Sequence, residues 1–236
     1  MTSTELKKRA ALEALTFIQD GMTVGLGTGS TAAPFIEALG KRVAEGLEIV
    51  GVPTSEAAAK LARQSGIELI IPDETTQIDV TVDGADEIDP DGHLIKGGGG
   101  AHQREKIIAA ASRQLIIVAD SSKKVSQLGQ FPLPIEIDPF CFSLTVRRIR
   151  ETFATLGYDK VEMQLRPKAD QDGIMLTDGG HLLLDARMQR IKDPAALDQA
   201  LTLLPGVISC GLFINMASMA IIAGEDGVER LTFGAR

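Results

Sequence analysis

The stretch that decides the fold reads Val80-Thr81-Val82-Asp83-Gly84-Ala85-Asp86-Glu87-Ile88, a polar turn, then Leu94-Ile95-Lys96-Gly97-Gly98-Gly99-Gly100-Ala101-His102-Gln103-Arg104-Glu105-Lys106. An alternating run ends in acids. A second, shorter run ends in a lysine. A glycine loop follows and opens into a helix whose first turn carries Glu105. Four consecutive glycines give up side-chain packing and let backbone N–H groups approach something small and electron-rich. Acids beside such a loop would repel an anion, so they suit proton transfer, with Lys96 offsetting the repulsion. The competing reading is a solvated acidic turn in which Glu105 only complements a helix dipole. Any one of these residues alone favours that plainer reading; their occurrence together favours a site.

Working outward toward the N-terminus, residues 4–19 carry apolar side chains at helical spacing, and Gly21 ends that helix. Residues 22–26 read as a buried strand. Gly25-Leu26-Gly27-Thr28-Gly29-Ser30-Thr31 follows and leads into a helix to about Leu39, with Pro34 in its first turn. A strand, a glycine loop and a helix start make a ready anion site. No GK[ST] follows, so this is not a P-loop. Ser30 stands where a dinucleotide fingerprint needs its last glycine, and the next strand, residues 47–52, ends in Pro53-Thr54-Ser55 with no acid for a ribose. The hydroxyls of Thr28, Ser30 and Thr31 suit a phosphate monoester, and N-capping accounts for them equally well.

A helix is expected over residues 56–64 and strands over 67–71, 79–82 and 115–119, the last ending in Asp120-Ser121-Ser122-Lys123. Strands alternate with helices from 22 to 119, which predicts an α/β fold with a mostly parallel sheet and helices on both faces. The four marked segments then lie past the carboxyl ends of strands, where open α/β sheets bind ligands. Lys123 could cap an anion there or be an ordinary exposed loop lysine. Phe131-Pro132-Leu133-Pro134 breaks the pattern. Beyond it come a helix over 140–156, a half-buried strand over 160–166, a hairpin of 174–177 and 181–185 joined through Asp178-Gly179-Gly180, a helix over 194–204 and an apolar run over 207–214. This predicts a smaller inserted α+β domain, residues 132–207, within a catalytic domain of residues 1–131 and 208–236.

The 236 residues are 44% hydrophobic, enough for a real core. A net charge of -8 argues against nucleic acid as a partner. Cys141 and Cys210 are far apart in sequence and suit free thiols in a reducing compartment. His93, His102 and His181 lack metal-ligand spacing, so no metal is expected. Residues 1–10 lack an apolar signal core and no run is long enough for a bilayer, so a cytoplasmic protein without membrane contact is expected. Glu87-Ile88-Asp89-Pro90-Asp91-Gly92 only superficially suggests a calcium loop; it reads better as a turn between strands. No serine sits in a nucleophile elbow.

These motifs together resemble the type A ribose-5-phosphate isomerases. The resemblance rests on Gly27-Thr28-Gly29-Ser30-Thr31-Ala32, on Val82-Asp83-Gly84-Ala85-Asp86-Glu87, on Lys96-Gly97-Gly98-Gly99 with Arg104-Glu105-Lys106-Ile107, and on Asp120-Ser121-Ser122-Lys123 with Phe131-Pro132-Leu133-Pro134. Pro205-Gly206-Val207 and Gly211-Leu212-Phe213 also fit. It covers nearly the whole chain. It departs at His102, where a small or apolar residue is expected, leaving that imidazole to tune Glu105 or to face solvent. It departs again at residues 215–219, which match loosely.

The resemblance implies a Rossmann-like domain with a small α+β domain, no cofactor, a small phosphorylated pentose as substrate, and a homodimer, with a tetramer as the alternative. It implies interconversion of ribose 5-phosphate and ribulose 5-phosphate through a cis-enediolate. Glu105 matches the catalytic base. Thr28, Gly29, Ser30, Thr31, Asp83, Gly84, Ala85, Asp86, Lys96, Gly97, Gly98, Gly99 and Lys123 match substrate-binding segments. Chemically, Lys96 and the glycine-loop backbone suit the enediolate oxygen. Asp83 suits ring opening, and Asp86 suits orienting hydroxyls or Lys96. Two rivals make different demands. A sugar-phosphate-sensing regulator needs a DNA-binding segment, and only about twenty residues precede the first strand. An acyl-CoA transferase would use a glutamate as nucleophile and form a trappable thioester.

Overall fold

Four apolar runs become adjacent parallel strands: β1 (Thr23–Leu26), β2 (Val50–Pro53), β3 (Ile78–Asp83) and, after β4 (Glu87–Ile88) and β5 (Leu94–Ile95), β6 (Ser112–Asp120). The structure, a computed structural model, describes residues 1–169 and 172–234. Its contacts group into two units: residues 1–85, 104–124 and 215–236, and residues 86–103 and 125–214. The sequence-based division put 86–103 with the first domain; here that segment groups with the second unit.

In the first unit the sheet order is β13-β12-β6-β3-β1-β2. All neighbours are parallel except the edge pair, β12 (Met219–Gly224) with β13 (Gly227–Thr232). Helices lie on both faces. On one, α1 (Ser3–Ala14) and α2 (Ala33–Ala44) bury Leu6, Ala10, Phe35, Ile36 and Leu39 against Val24, Val80, Val82 and Val118. In a separate cluster Ile108 of α4 (His102–Ala111) packs with Val52 and Ile78. Thr2 and Glu5 form a reciprocal capping box on α1, and Ser55 caps α3 (Glu56–Gln64) by accepting the Ala58 N–H.

The second unit has a four-stranded antiparallel sheet, β10-β7-β9-β8, from β7 (Leu133–Ile137), β8 (Glu162–Leu165), β9 (Leu182–Arg187) and β10 (Val207–Cys210). Helices α5 (Phe142–Thr155) and α6 (Pro194–Thr202) bury Ile149, Phe153, Leu197 and Leu201 against Ile135, Ile137 and Leu184. A three-stranded sheet joins β4, β5 and β11 (Leu212–Phe213).

Four expectations change. The strand expected over 67–71 reduces to a single bridge from Leu69 to Gly51. Pro72 cannot donate to a ladder, and Ile71 is 95% exposed. The hairpin around 178–180 keeps its turn, with Thr177 and His181 bonded, but only the bridge Leu176–Leu182 forms instead of a ladder. The apolar run over 207–214 divides at Gly211, passing from the four-stranded to the three-stranded sheet; a Cβ there would lie 2.2 Å from the Lys96 carbonyl oxygen. Lys96 itself follows β5 of that small antiparallel sheet, so the glycine loop does not sit past a strand of the parallel one. Among the described residues no helix is long and apolar enough to cross a membrane.

Candidate active site

In the first unit, loops at the carboxyl ends of β1, β2 and β3 are fastened together. The chain leaves β1 through Gly27, Thr28, Gly29, Ser30 and Thr31. Asp83, at the end of β3 and 1% exposed, accepts the Thr28 N–H (3.1 Å) and the Gly84 N–H (2.7 Å) on Oδ1. This close approach explains Gly27: a Cβ there would lie 2.3 Å from Asp83 Oδ1 and 2.6 Å from its Cα, backbone that cannot yield. The Thr28 hydroxyl donates to Ser55 Oγ (2.7 Å) and lies 2.8 Å from Thr54 Oγ1. Thr31 packs against Gly84, where an added Cβ would meet its Cβ at 3.1 Å, and Ala85 is buried beside it in sequence.

Helix α2 is capped by Ala32 with no side-chain bond, so the hydroxyls of Thr28, Ser30 and Thr31 are not its N-caps. That removes the plainer of the two readings of this loop. Sequence reasoning missed Lys7. Its Nζ, reaching from α1, donates to Ser30 Oγ at 3.0 Å, adding a cation beside the loop. Nothing in the sequence near Lys7 distinguishes it from Lys8, because the pairing depends on how α1 lies on the sheet.

Lys123 ends the short 3₁₀ turn Ser121–Lys123 after β6 and is half-buried. Its neighbour Asp120 is pushed up by burial. Hydrogen bonds from the Ser122 and Ser3 hydroxyls and the Ser122 N–H, with the Lys123 charge, outweigh that and hold the carboxyl below its ordinary value. Glu105 occupies the first turn of α4 and is 5% exposed, a carboxylate withdrawn from bulk water. Arg104 beside it turns outward to Glu56 at 3.1 Å.

In the second unit, Asp86 accepts the Gly98 N–H on Oδ2 at 2.8 Å. Its carboxylate thus orders the glycine loop, a partner the sequence reading did not foresee. Lys96 is 3% exposed, with Nζ 5.4 Å from the centre of the Phe213 ring, a cation–π contact at the loop's entry. Gly97 has φ +112°, a backbone state L residues avoid, and a Cβ there would lie 2.9 Å from His102 Nδ1. Gly98 and Gly99 are exposed.

His102 does not face solvent, one of its two expected fates. It is fully buried, with Nε2 3.8 Å from Glu136 Oε2, while Glu136 Oε1 accepts the Thr177 hydroxyl (2.8 Å) and lies 2.9 Å from His181 Nδ1. Glu87, the third acid of its motif, is structural: its two oxygens accept the Gly129 and Phe131 N–H groups, both at 2.6 Å. Against the expectation from spacing, His93 does fall near possible ligands, since atoms of Asp89, Asp91 and His93 lie within 4.8 Å of one another. Asp89 Oδ1 already accepts the backbone N–H groups of Asp91 and His93, as a turn requires, and burial pushes its pKa up.

A family model described as ribose 5-phosphate isomerase A (phosphoriboisomerase A) matches residues 50–227. The ribose-5-phosphate isomerase A of Bradyrhizobium diazoefficiens is 51% identical over 231 residues, covering 97% of this chain and 96% of its own. A solved D-ribose-5-phosphate isomerase in complex with phospho-erythronic acid superposes with a TM-score of 0.90 at 41% identity, covering 98% of this chain and all of its own. The ribose 5-phosphate isomerase of Plasmodium falciparum gives 0.91 at 33% identity, covering 97% of this chain and 98% of its own. A family model over most of the chain and a relative at 51% identity show that this chain belongs to the ribose 5-phosphate isomerase A family.

Proposed function

We propose that the chain interconverts ribose 5-phosphate and ribulose 5-phosphate, with Glu105 moving one proton between C2 and C1. In the open-chain aldose, the Glu105 carboxylate takes the C2 proton. The C–H electron pair becomes the C1=C2 bond, and O1 gains the carbonyl's electrons. The hydroxyl proton of O2 passes to O1, and as the carbon-bound proton returns to C1 the O2 electrons form the carbonyl at C2. A single carboxylate on one face of a cis-enediolate serves both transfers.

Asp83 opens the furanose ring by moving protons between ring and aldehyde oxygens. Ser30, Thr31 and Lys123 hold the phosphate, joined by Lys7. Thr28, Gly29, Gly84 and Ala85 shape the loops around the sugar. Lys96 and the backbone of Gly97, Gly98 and Gly99 stabilise the enediolate oxygen. Asp86 serves this step by ordering the loop. The observation that carries the reading is the fastening of the β1 hydroxyl loop to Asp83, because it sets an acid and phosphate-sized donors side by side. Charge stabilisation by loop dipoles and lysine leaves no step for a cofactor or metal.

The deciding experiment incubates purified, chelator-treated protein with ribose 5-phosphate in D2O and follows ketose formation and deuterium at C1. Ketose carrying solvent deuterium at C1 supports proton transfer; conversion without any exchange, in the presence of an active Glu105→Gln variant, refutes it. We place the enzyme in the cytoplasm, a reducing compartment that suits the thiols of Cys141 and Cys210, and as a homodimer with the tetramer as alternative, which light scattering distinguishes.

A further inference from the structure

The glycine loop is gripped from its carbonyl side. Arg166, just past β8, donates from Nη1 to the Gly97 carbonyl at 2.8 Å and to the Gly98 carbonyl at 3.1 Å. The rest of its fork is fixed by Asp185 on β9. Nε donates to Oδ2 at 2.8 Å, and Nη2 donates to Oδ1. The pair is mostly buried, at 13% and 24% side-chain exposure, and the backbone of Arg166 is held by Leu183 and Met175. A planar guanidinium with two contacts to a carboxylate and two to carbonyls has little freedom to turn.

The consequence follows from the trans peptide. In each planar unit the C=O and the next N–H point in opposite directions. Fixing the Gly97 and Gly98 carbonyls toward Arg166 therefore points the Gly98 and Gly99 N–H groups away from it. The first of these goes to Asp86 Oδ2 at 2.8 Å. The Gly99 N–H is thereby presented on the side opposite the guanidinium. Without Arg166, the Gly97–Gly98 peptide keeps Asp86 and the Gly100 N–H, but the Gly98–Gly99 peptide loses the side chain that holds its carbonyl, and a flip there would present an oxygen where a donor is needed. The cation also polarises both peptide units, which strengthens their N–H groups as donors.

We infer that Arg166, fixed by Asp185, is a positioning residue that sets the peptide orientation of the glycine loop so that N–H groups, led by that of Gly99, face the developing enediolate oxygen. This rests on the reading above that the loop stabilises that oxygen. Arg166 itself touches no substrate in this scheme; it acts through Gly97 and Gly98.

The test measures kcat and KM for ribose 5-phosphate, and inhibition by phospho-erythronic acid, whose carboxylate carries negative charge on two planar oxygens as an enediolate does. The variants are Arg166→Ala, Arg166→Lys, Asp185→Asn and Lys96→Met. Arg166→Ala is expected to lower kcat about 10–100-fold, somewhat less than removing an oxyanion donor outright, with KM within about threefold. The inhibitor's Ki should rise by about the factor lost in kcat/KM. Arg166→Lys should restore part of kcat, and Asp185→Asn should fall between. A purely structural role would lower the melting temperature of the variants without this kcat-against-KM split or the matched change in Ki. Should Arg166→Ala fail to fold, the lysine and asparagine variants decide. Unchanged kcat in the folded Arg166 variants, or a loss confined to KM, overturns the inference. If Lys96→Met raises Ki and the Arg166 variants do not, the clamp fails and the loop reading stands. If Lys96→Met also leaves Ki unchanged, the loop reading itself fails.

Discussion

Replacing Asp83 by asparagine separates ring opening from proton transfer. Asp83 Oδ1 accepts two backbone N–H groups, from Thr28 and Gly84. An asparagine carbonyl accepts both in the same place, so the β1 loop stays fastened. For these two bonds only charge assistance is lost, about 1 kcal/mol each. The sum, about 2 kcal/mol, lowers the melting temperature by about 4–8 °C at most, and less to the extent that a buried charge is no longer desolvated. The catalytic effect should be larger, since removing an acid–base group costs about 10²–10⁴ in rate. Net conversion falls by the same factor in both directions, because a catalyst cannot move the equilibrium. The hydrogen at C1 of ribulose 5-phosphate behaves differently. That ketose has its terminal oxygen esterified, cannot close a five-membered ring, and enters open. Its exchange with D2O, read by proton NMR, should therefore survive Asp83→Asn within about tenfold of wild type. Glu105→Gln should lose exchange and conversion together. Exchange that collapses with conversion in Asp83→Asn would put Asp83 in the C–H step and refute this division of labour.

Further perturbations probe the other groups. Lys123→Ala should raise KM for ribose 5-phosphate about 10–100-fold, the worth of one charge-assisted hydrogen bond, with kcat changed much less in steady-state assays. Glu87→Ala leaves the Gly129 and Phe131 N–H groups without their acceptor and should cost about 2–5 kcal/mol in urea unfolding, while the folded enzyme keeps its kinetic constants. Asp120 titrates lower in the folded chain than its ordinary 3.8. The unfolded chain therefore binds its proton first. Asp120 contributes stability that is fully present above pH about 4 and is lost as pH falls through its lower folded value. Asp120→Asn should flatten that acid limb of the stability curve, measured by denaturant melts from pH 5 downward.

Much of the first unit was legible because its signals are local. The run over 56–64 marked α3 at its observed ends, and short apolar runs marked β1, β3 and β6. The hairpin of β12 and β13 went unread, although Ala220 to Ala223 form a buried apolar run and Glu225-Asp226 the turn before Gly227. Strands β4, β5 and β11 have two residues each, too short for any periodicity. The candidate site shows the same boundary. Its residue types and order were readable, but Lys7 on Ser30, Glu136 facing His102 and Arg166 on the glycine carbonyls join positions tens of residues apart, and no local pattern encodes them.

The motif Asp83-Gly84-Ala85-Asp86-Glu87 shows why residue type alone could not assign roles. Three carboxylates fall within five residues, and alternation along an extended chain sends neighbours to opposite sides. Each finds backbone N–H partners, but different ones. Asp83 takes those of Thr28 and Gly84, which ties a hydroxyl-bearing loop to an acid at the end of a parallel strand. Asp86 takes that of Gly98 and stays half-buried. Glu87 commits one oxygen to Gly129 and the other to Phe131 and is 3% exposed, so both of its acceptor atoms are consumed by architecture. A carboxylate whose two oxygens each hold a backbone N–H is not placed to exchange protons with a sugar, which sets Glu87 apart as a structural acid. Glu87→Gln should leave isomerisation intact at the cost of stability, whereas Asp83→Asn should cost far more in rate than in stability.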